Sequence, residues 1–140
     1  MVLFTKAVSN ARENALIVAD LPNKSYENEA DAVANSERLI KAGADAVKLE
    51  GRLPDIIKAI IKAGIPVMGH LGLLPQTAKK YTVQGKTEDD AKTLVADAKA
   101  LQEAGVFSIV LEMVAAETTK HITEAAVSYT HLTLPTILLV

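Results

Sequence analysis

With 140 residues, 49% of them hydrophobic, the chain suits one globular domain or part of a larger one, and its apolar fraction argues against overall disorder. A formal charge of -2 argues against a nucleic-acid binder, no apolar run approaches the roughly 20 residues of a membrane span, and Arg12, Glu13 and Asn14 interrupt the first apolar stretch, unlike a secretory signal. The lack of cysteine excludes disulfides and thiolate chemistry, fits a cytoplasmic protein, and leaves oxygen or imidazole ligands for any metal.

In chain order, "NALIVADLP" predicts an apolar strand that ends at Asp20 and is stopped by Pro22. A helix is expected from near Glu27 to Ala42, then a strand in "AGADAVKLEG". "LPDIIKAIIKA" predicts a second helix with proline near its start, where proline is tolerated, and "IPVMGH" a third strand. "KTEDDAKTLVADAKALQEAG" gives a helix with acids in its first turn, "VFSIVLE" a strand, and "AAETTKHITEAAV" a last helix. "LIKAGADAVKLE" (39–50) and "LQEAGVFSIVLE" (101–112) align without a gap, and "IIKAGIPVMGH" shares their Ala-Gly junction. Gly43, Gly64 and Gly105 are therefore expected as left-handed helix caps. Alternating strands and helices mean a parallel sheet with right-handed crossovers, here of about four strands.

Side chains alternate faces along a strand, so Val47 and Leu49 share one side while Lys48 and Glu50 share the other. By the same count Val18 aligns with Asp20, Met68 with His70, and Val110 with Glu112. Each strand thus has one apolar face and one that turns polar only at its carboxyl end. A (β/α) barrel places its chemistry there, and so does a doubly wound sheet. The barrel is preferred because no G-x-G-x-x-G or Walker loop follows any strand. Each polar residue also has a plainer reading: Asp20 as a turn former, Lys48 and Glu50 as a solvated rim pair, His70 as an interior histidine, Glu112 as a helix cap. Independent structural roles would not predict polar endings on four consecutive strands, which favours one active site. The segment "GHLGLLPQTAKKYTVQGKTEDD" is longer than most connections, as a lid or binding loop would be, with Gly69, Gly72 and Gly85 supplying flexibility; a disordered surface insertion is the other reading.

"TKAV", "ADLP", "AGADAVKLEG", "PVMGHLGLLPQ", "VQGKT", "ALQEAG" and "VLEMV", from about Thr5 to about Val127, resemble the ketopantoate hydroxymethyltransferase (3-methyl-2-oxobutanoate hydroxymethyltransferase) family in order and spacing. "GHLGLLPQ" together with "VKLEG" is the specific combination. The resemblance implies a TIM-type (β/α)8 barrel that uses Mg²⁺ and methylene-tetrahydrofolate, works in pantothenate synthesis, and is homo-oligomeric at full length. It implies that Asp20 binds Mg²⁺ and approaches the 2-oxo acid, Lys48 holds the substrate's carboxylate side, and Glu50 belongs to the metal shell. Glu112 would be the proton-abstracting base and His70 would lie against the substrate. A carboxylate base works better with its pKa raised by partial burial, and the flanking Leu111 and Met113 suggest that setting for Glu112.

Two departures matter. The family's Gly-Asp-Ser strand end, with a further metal-binding aspartate, does not occur, and "SYTHLTLPTILLV" (128–140) resembles nothing in the family. The expectation is a partial barrel domain over residues 1–127, truncated at both ends and followed by a foreign tail, whose preferred origin is a frameshift or splice. Such a piece, against roughly 250 residues for a complete barrel, is expected to self-associate and to be weakly active or inactive. Competing readings are a Mg²⁺-dependent lyase of the related phosphoenolpyruvate mutase/isocitrate lyase group, and a non-catalytic fragment.

Overall fold

Single residues set the helix ends. The computed structural model describes residues 1–126 and the backbone of 131–132. Asn28 caps α2 (Glu29–Lys41), accepting from the Asp31 N–H at 2.9 Å. Thr87 does the same for α4 (Glu88–Ala104), accepting from the Asp90 N–H at 3.2 Å. Acids fill the first turn of both, at the positive end of the helix dipole. α3 (Pro54–Lys62) starts on its proline and α5 (Ala116–Ala125) lies within the expected segment. Gly43, Gly64 and Gly105 have φ of 103°, 83° and 97°, as their role as caps requires.

Between the helices run β1 (Val18–Asp20), β2 (Ala46–Lys48), β3 (Val67–Gly72) and β4 (Ser108–Glu112), with a short β5 (His131–Leu132) after α5. All pair in parallel in chain order β1-β2-β3-β4-β5. A barrel wall is built in this way, whereas a doubly wound sheet reverses its strand order at a switch point. β5 adds a strand to the four expected, inside the 128–140 stretch whose origin was in question; apart from that two-residue backbone, the stretch lies outside the described residues.

One helix was not anticipated. α1 (Val2–Ala11) has no side-chain cap and no acid in its first turn, and it buries only Thr5 while Leu3, Phe4 and Val8 stay exposed. Such a helix carries none of the usual local signals.

The sheet face toward the helices carries Ile17, Ala19, Val47, Leu49, Val67, Leu71, Ile109 and Leu111, packed in one core with Leu39, Ile57, Ile60 and Leu101. Each large aliphatic side chain so buried contributes about 1.5–3 kcal/mol. Gly69, expected to loosen the loop, lies inside β3, where a Cβ would come 2.8 Å from Leu101 Cδ1. At Gly72 it would collide with the Glu112 carbonyl oxygen, and at Gly85 it would meet Thr118 Cγ2 at 2.9 Å. These glycines permit close approach and are not hinges. The opposite face bears Val18, Ala46, Met68, Ser108 and Val110 below the polar strand ends, as alternation requires. Among the described residues no helix is long and apolar enough to cross a membrane.

Candidate active site

Asp20, Lys48, Met68 and Ser108 form one row of paired residues across β1 to β4. His70 is two residues beyond that row on β3 (70 against 68) and Glu112 four beyond it on β4 (112 against 108). Four residues of strand are about 13 Å, which would scatter these groups along a flat sheet. Tilted, staggered barrel strands make a level mouth cut across such rows. All five expected residues, Asp20, Lys48, Glu50, His70 and Glu112, accordingly line one cavity of about 400 Å³, together with Met1, Pro22, Pro75 and Gln76. A larger groove of about 870 Å³ between α4 and α5 contains none of the five.

Within the cavity Lys48 Nζ lies 2.8 Å from Asp20 Oδ2. His70 Nε2 is 3.3 Å from Glu112 Oε2, and its Nδ1 is 3.8 Å from Glu50 Oε1. Neither ring nitrogen is aligned for a hydrogen bond, although His70 is only 1% exposed. Most buried polar groups are hydrogen-bonded, and leaving one unpaired costs about 1–3 kcal/mol. Burial, then the Lys48 ammonium, lowers the His70 pKa to about 4 against the pull of Asp20 and of the Leu73 backbone, which lies near the ring but outside strict hydrogen-bond geometry, so the ring is neutral at pH 7.

The burial expected of Glu112 falls on Glu50 instead: their side chains are 36% and 5% exposed. The flanking residues do not give Glu112 that cover: Leu111 points to the other face of β4, and Met113 lies beyond the strand in a bend with φ of 48°. Burial pushes the Glu50 carboxyl up, and the Asp20 charge adds to this; the Gln76 N–H and the Lys48 ammonium oppose it.

Two participants had no assigned role. Gln76, inside "GHLGLLPQ", donates its backbone N–H to Glu50 Oε2 at 3.3 Å and its side-chain amide to the Leu21 carbonyl at 3.2 Å. Its Oε1 accepts from the Asn23 N–H at 2.6 Å. Tyr26 has its phenol pushed up by burial and feels the charges of Glu50 and Asp20. Loop residues lack periodicity, so only a family motif could have flagged either.

Among the described residues no three His, Asp or Glu side chains form a cluster able to hold a metal. Asp20 and Glu50 nonetheless offer two hard carboxylates, from the ends of adjacent strands, close enough to repel each other. Magnesium is commonly held by one or two carboxylates together with water and substrate oxygens, so this donor set fits it.

The family model for ketopantoate hydroxymethyltransferase matches residues 1–137. The chain belongs to that family. It is 58% identical over 130 residues to the 3-methyl-2-oxobutanoate hydroxymethyltransferase of Nitrosopumilus maritimus, covering 89% of this chain and 47% of that protein. With the enzyme of the same name from Pseudothermotoga lettingae it shares 52% over 144 residues, covering 98% and 52%. The chain thus spans about half the length of these relatives. Among solved structures, 2,3-dimethylmalate lyase, a PEP mutase/isocitrate lyase superfamily member, superposes with a TM-score of 0.68 at 16% identity, covering 94% of this chain and 48% of the lyase. Phosphonopyruvate hydrolase gives 0.64 at 14%, covering 88% and 46%. At such identities the likeness shows the shared fold, which agrees with the sequential parallel sheet. The hydroxymethyltransferase family therefore enters here as a barrel wall with its charged residues gathered at the carboxyl ends of the strands.

Proposed function

We propose that this chain carries the oxo-acid site of a 3-methyl-2-oxobutanoate hydroxymethyltransferase. That enzyme moves a hydroxymethyl group from methylene-tetrahydrofolate to 3-methyl-2-oxobutanoate, giving 2-dehydropantoate for pantothenate synthesis. One observation carries the reading: in a chain of this family, ionisable ends of four successive strands meet in one cavity around a buried imidazole without hydrogen bonds.

Asp20 and Glu50 would hold Mg²⁺, which when bound supplies Lewis-acid polarisation of the oxo oxygen. Lys48 meets the substrate carboxylate. Glu112 takes the proton from the carbon beside the oxo group, and the electron pair left there forms the new carbon–carbon bond to the methylene carbon, whose bonds to the folate nitrogens break as water supplies the hydroxyl oxygen and tetrahydrofolate leaves. Neutral His70 lies against the substrate with a ring N–H available where negative charge builds on oxygen. Glu50 offers a second choice of base, since it is the buried carboxyl whose pKa is raised.

Exchange of the substrate's C–H for deuterium in D₂O needs the cation and the base but no folate, so it tests the reading directly. Mg²⁺-dependent exchange is expected, slowed about 10²–10⁴-fold in Glu112→Gln. Exchange kept in Glu112→Gln but lost in a Glu50→Gln variant that still binds the cation would transfer the role of base. A chain that binds the oxo acid without exchanging its proton would be a non-catalytic fragment, and cleavage of a dicarboxylic or phosphonate substrate would mark a lyase. Folate-dependent turnover by the 140-residue chain is expected to be weak, given the half-length match. The exposed Leu3, Phe4 and Val8 favour self-association, in keeping with a homo-oligomeric enzyme.

A further inference from the structure

We propose that Gln76 is a positioning residue: a neutral cross-brace that fixes the separation of the Asp20 and Glu50 carboxylates. What that spacing serves rests on the metal reading above. Two carboxylates at neighbouring strand ends repel, and Lys48, 2.8 Å from Asp20, offsets that repulsion only through charge, which has no fixed direction and does not set their spacing. Gln76 ties both ends without adding charge. Its backbone N–H holds Glu50, beyond β2, while its side-chain amide donates to the Leu21 carbonyl and accepts from the Asn23 N–H, just beyond Asp20. A lysine here would compete with the cation, and a glutamate would repel Glu50 and could not donate to Leu21 when ionised.

Two further features point the same way. Lys24, next to Asn23, has φ of 68°, a left-handed conformation that a residue with a side chain keeps only when its neighbours are held. The β3–α4 connection that presents Gln76 is itself anchored to the end of β4. Leu73 N–H donates to the Glu112 carbonyl at 2.8 Å and Gln84 N–H to the Met113 carbonyl at 2.8 Å, while the Ala115 N–H donates back to the Gln84 carbonyl at 2.9 Å. The connection is therefore a strap bonded to the ends of β1, β2 and β4, with Gln76 as its link to the first two.

The test compares the full chain with Gln76→Met, which keeps the length but loses the side-chain bonds, and with Gln76→Ala. Amide hydrogen exchange over residues 21–25 and 73–78 reads the brace, and Mn²⁺ affinity reads the positioning. Both segments are expected to exchange faster together in both variants. Mn²⁺ affinity is expected to fall about tenfold, as for other residues that orient metal ligands, with the urea midpoint nearly unchanged. Faster exchange confined to 73–78, or wild-type Mn²⁺ affinity in Gln76→Met, would overturn the proposal. A wild-type chain that binds no Mn²⁺ would retire the metal reading instead. Exchange then decides the brace alone: coupled acceleration upholds it, and unchanged rates dismiss it.

Discussion

At the amino end of the sheet, Arg12 pairs with Asp45, and the same carboxylate oxygen accepts the Ile17 N–H at 2.8 Å. At the carboxyl end, His70 is buried between Glu50 and Glu112 with neither ring nitrogen hydrogen-bonded. The first charge cluster is satisfied and joins α1 to the starts of β1 and β2. In the second, beside the Lys48–Asp20 ion pair, the buried imidazole has no hydrogen-bond partner and Glu50 feels the repulsion of Asp20. Within one barrel wall, the charges at the amino end are paired and bonded to backbone, while those at the carboxyl end, where barrels carry their chemistry, are only partly so.

The sharpest break in that comparison comes from Gly72, where the strap leaves β3. Its φ of 91° and the Glu112 carbonyl beside it leave no room for a Cβ. Gly72→Ala is expected to destabilise the fold by on the order of 3 kcal/mol, read as a lower urea midpoint. An unchanged midpoint would mean that the strap is not held as described.

Next is the pH dependence of His70. Its pKa falls from 6.5 to about 4 on folding, so between those values the unfolded chain binds a proton that the folded chain refuses. Stability from this group is complete above pH 6.5 and is lost as pH falls toward 4, at about 1.4 kcal/mol per pH unit. Glu50, with its raised pKa, works in the opposite sense and flattens the total profile. The difference between wild type and His70→Gln isolates the histidine: the wild-type advantage should shrink through that window. A constant difference would show that the ring is not held neutral.

The smallest effect is expected at the satisfied end. Asp45→Ala should cost about 1 kcal/mol, because the pair is partly solvated, and should leave Mn²⁺ and oxo-acid binding unchanged. If binding at the far end of the sheet weakened as well, the two ends would not be independent.

Much of this was legible in the chain itself. Period-two alternation exposed Asp20, Lys48, His70 and Glu112 as polar ends on apolar strands, and the Ala-Gly junctions located the helix caps at Gly43, Gly64 and Gly105. Other features were misread for definite reasons. A glycine in a sequence does not reveal what its missing side chain would strike, so Gly69, Gly72 and Gly85 looked flexible when they are closely packed. Leu111 and Met113 flank Glu112 in sequence, yet strand geometry turns Leu111 to the other face, the chain bends away at Met113, and the burial belongs to Glu50.

By itself the sequence determined which residues alternate, which strands end in charge, and which family motif they match, because these are local properties written at fixed spacings. Only the tertiary structure decided that ends offset by as many as four residues meet at one cavity, and that Gln76 links two of them. Both depend on the tilt and stagger of strands paired across long loops, which no local spacing records.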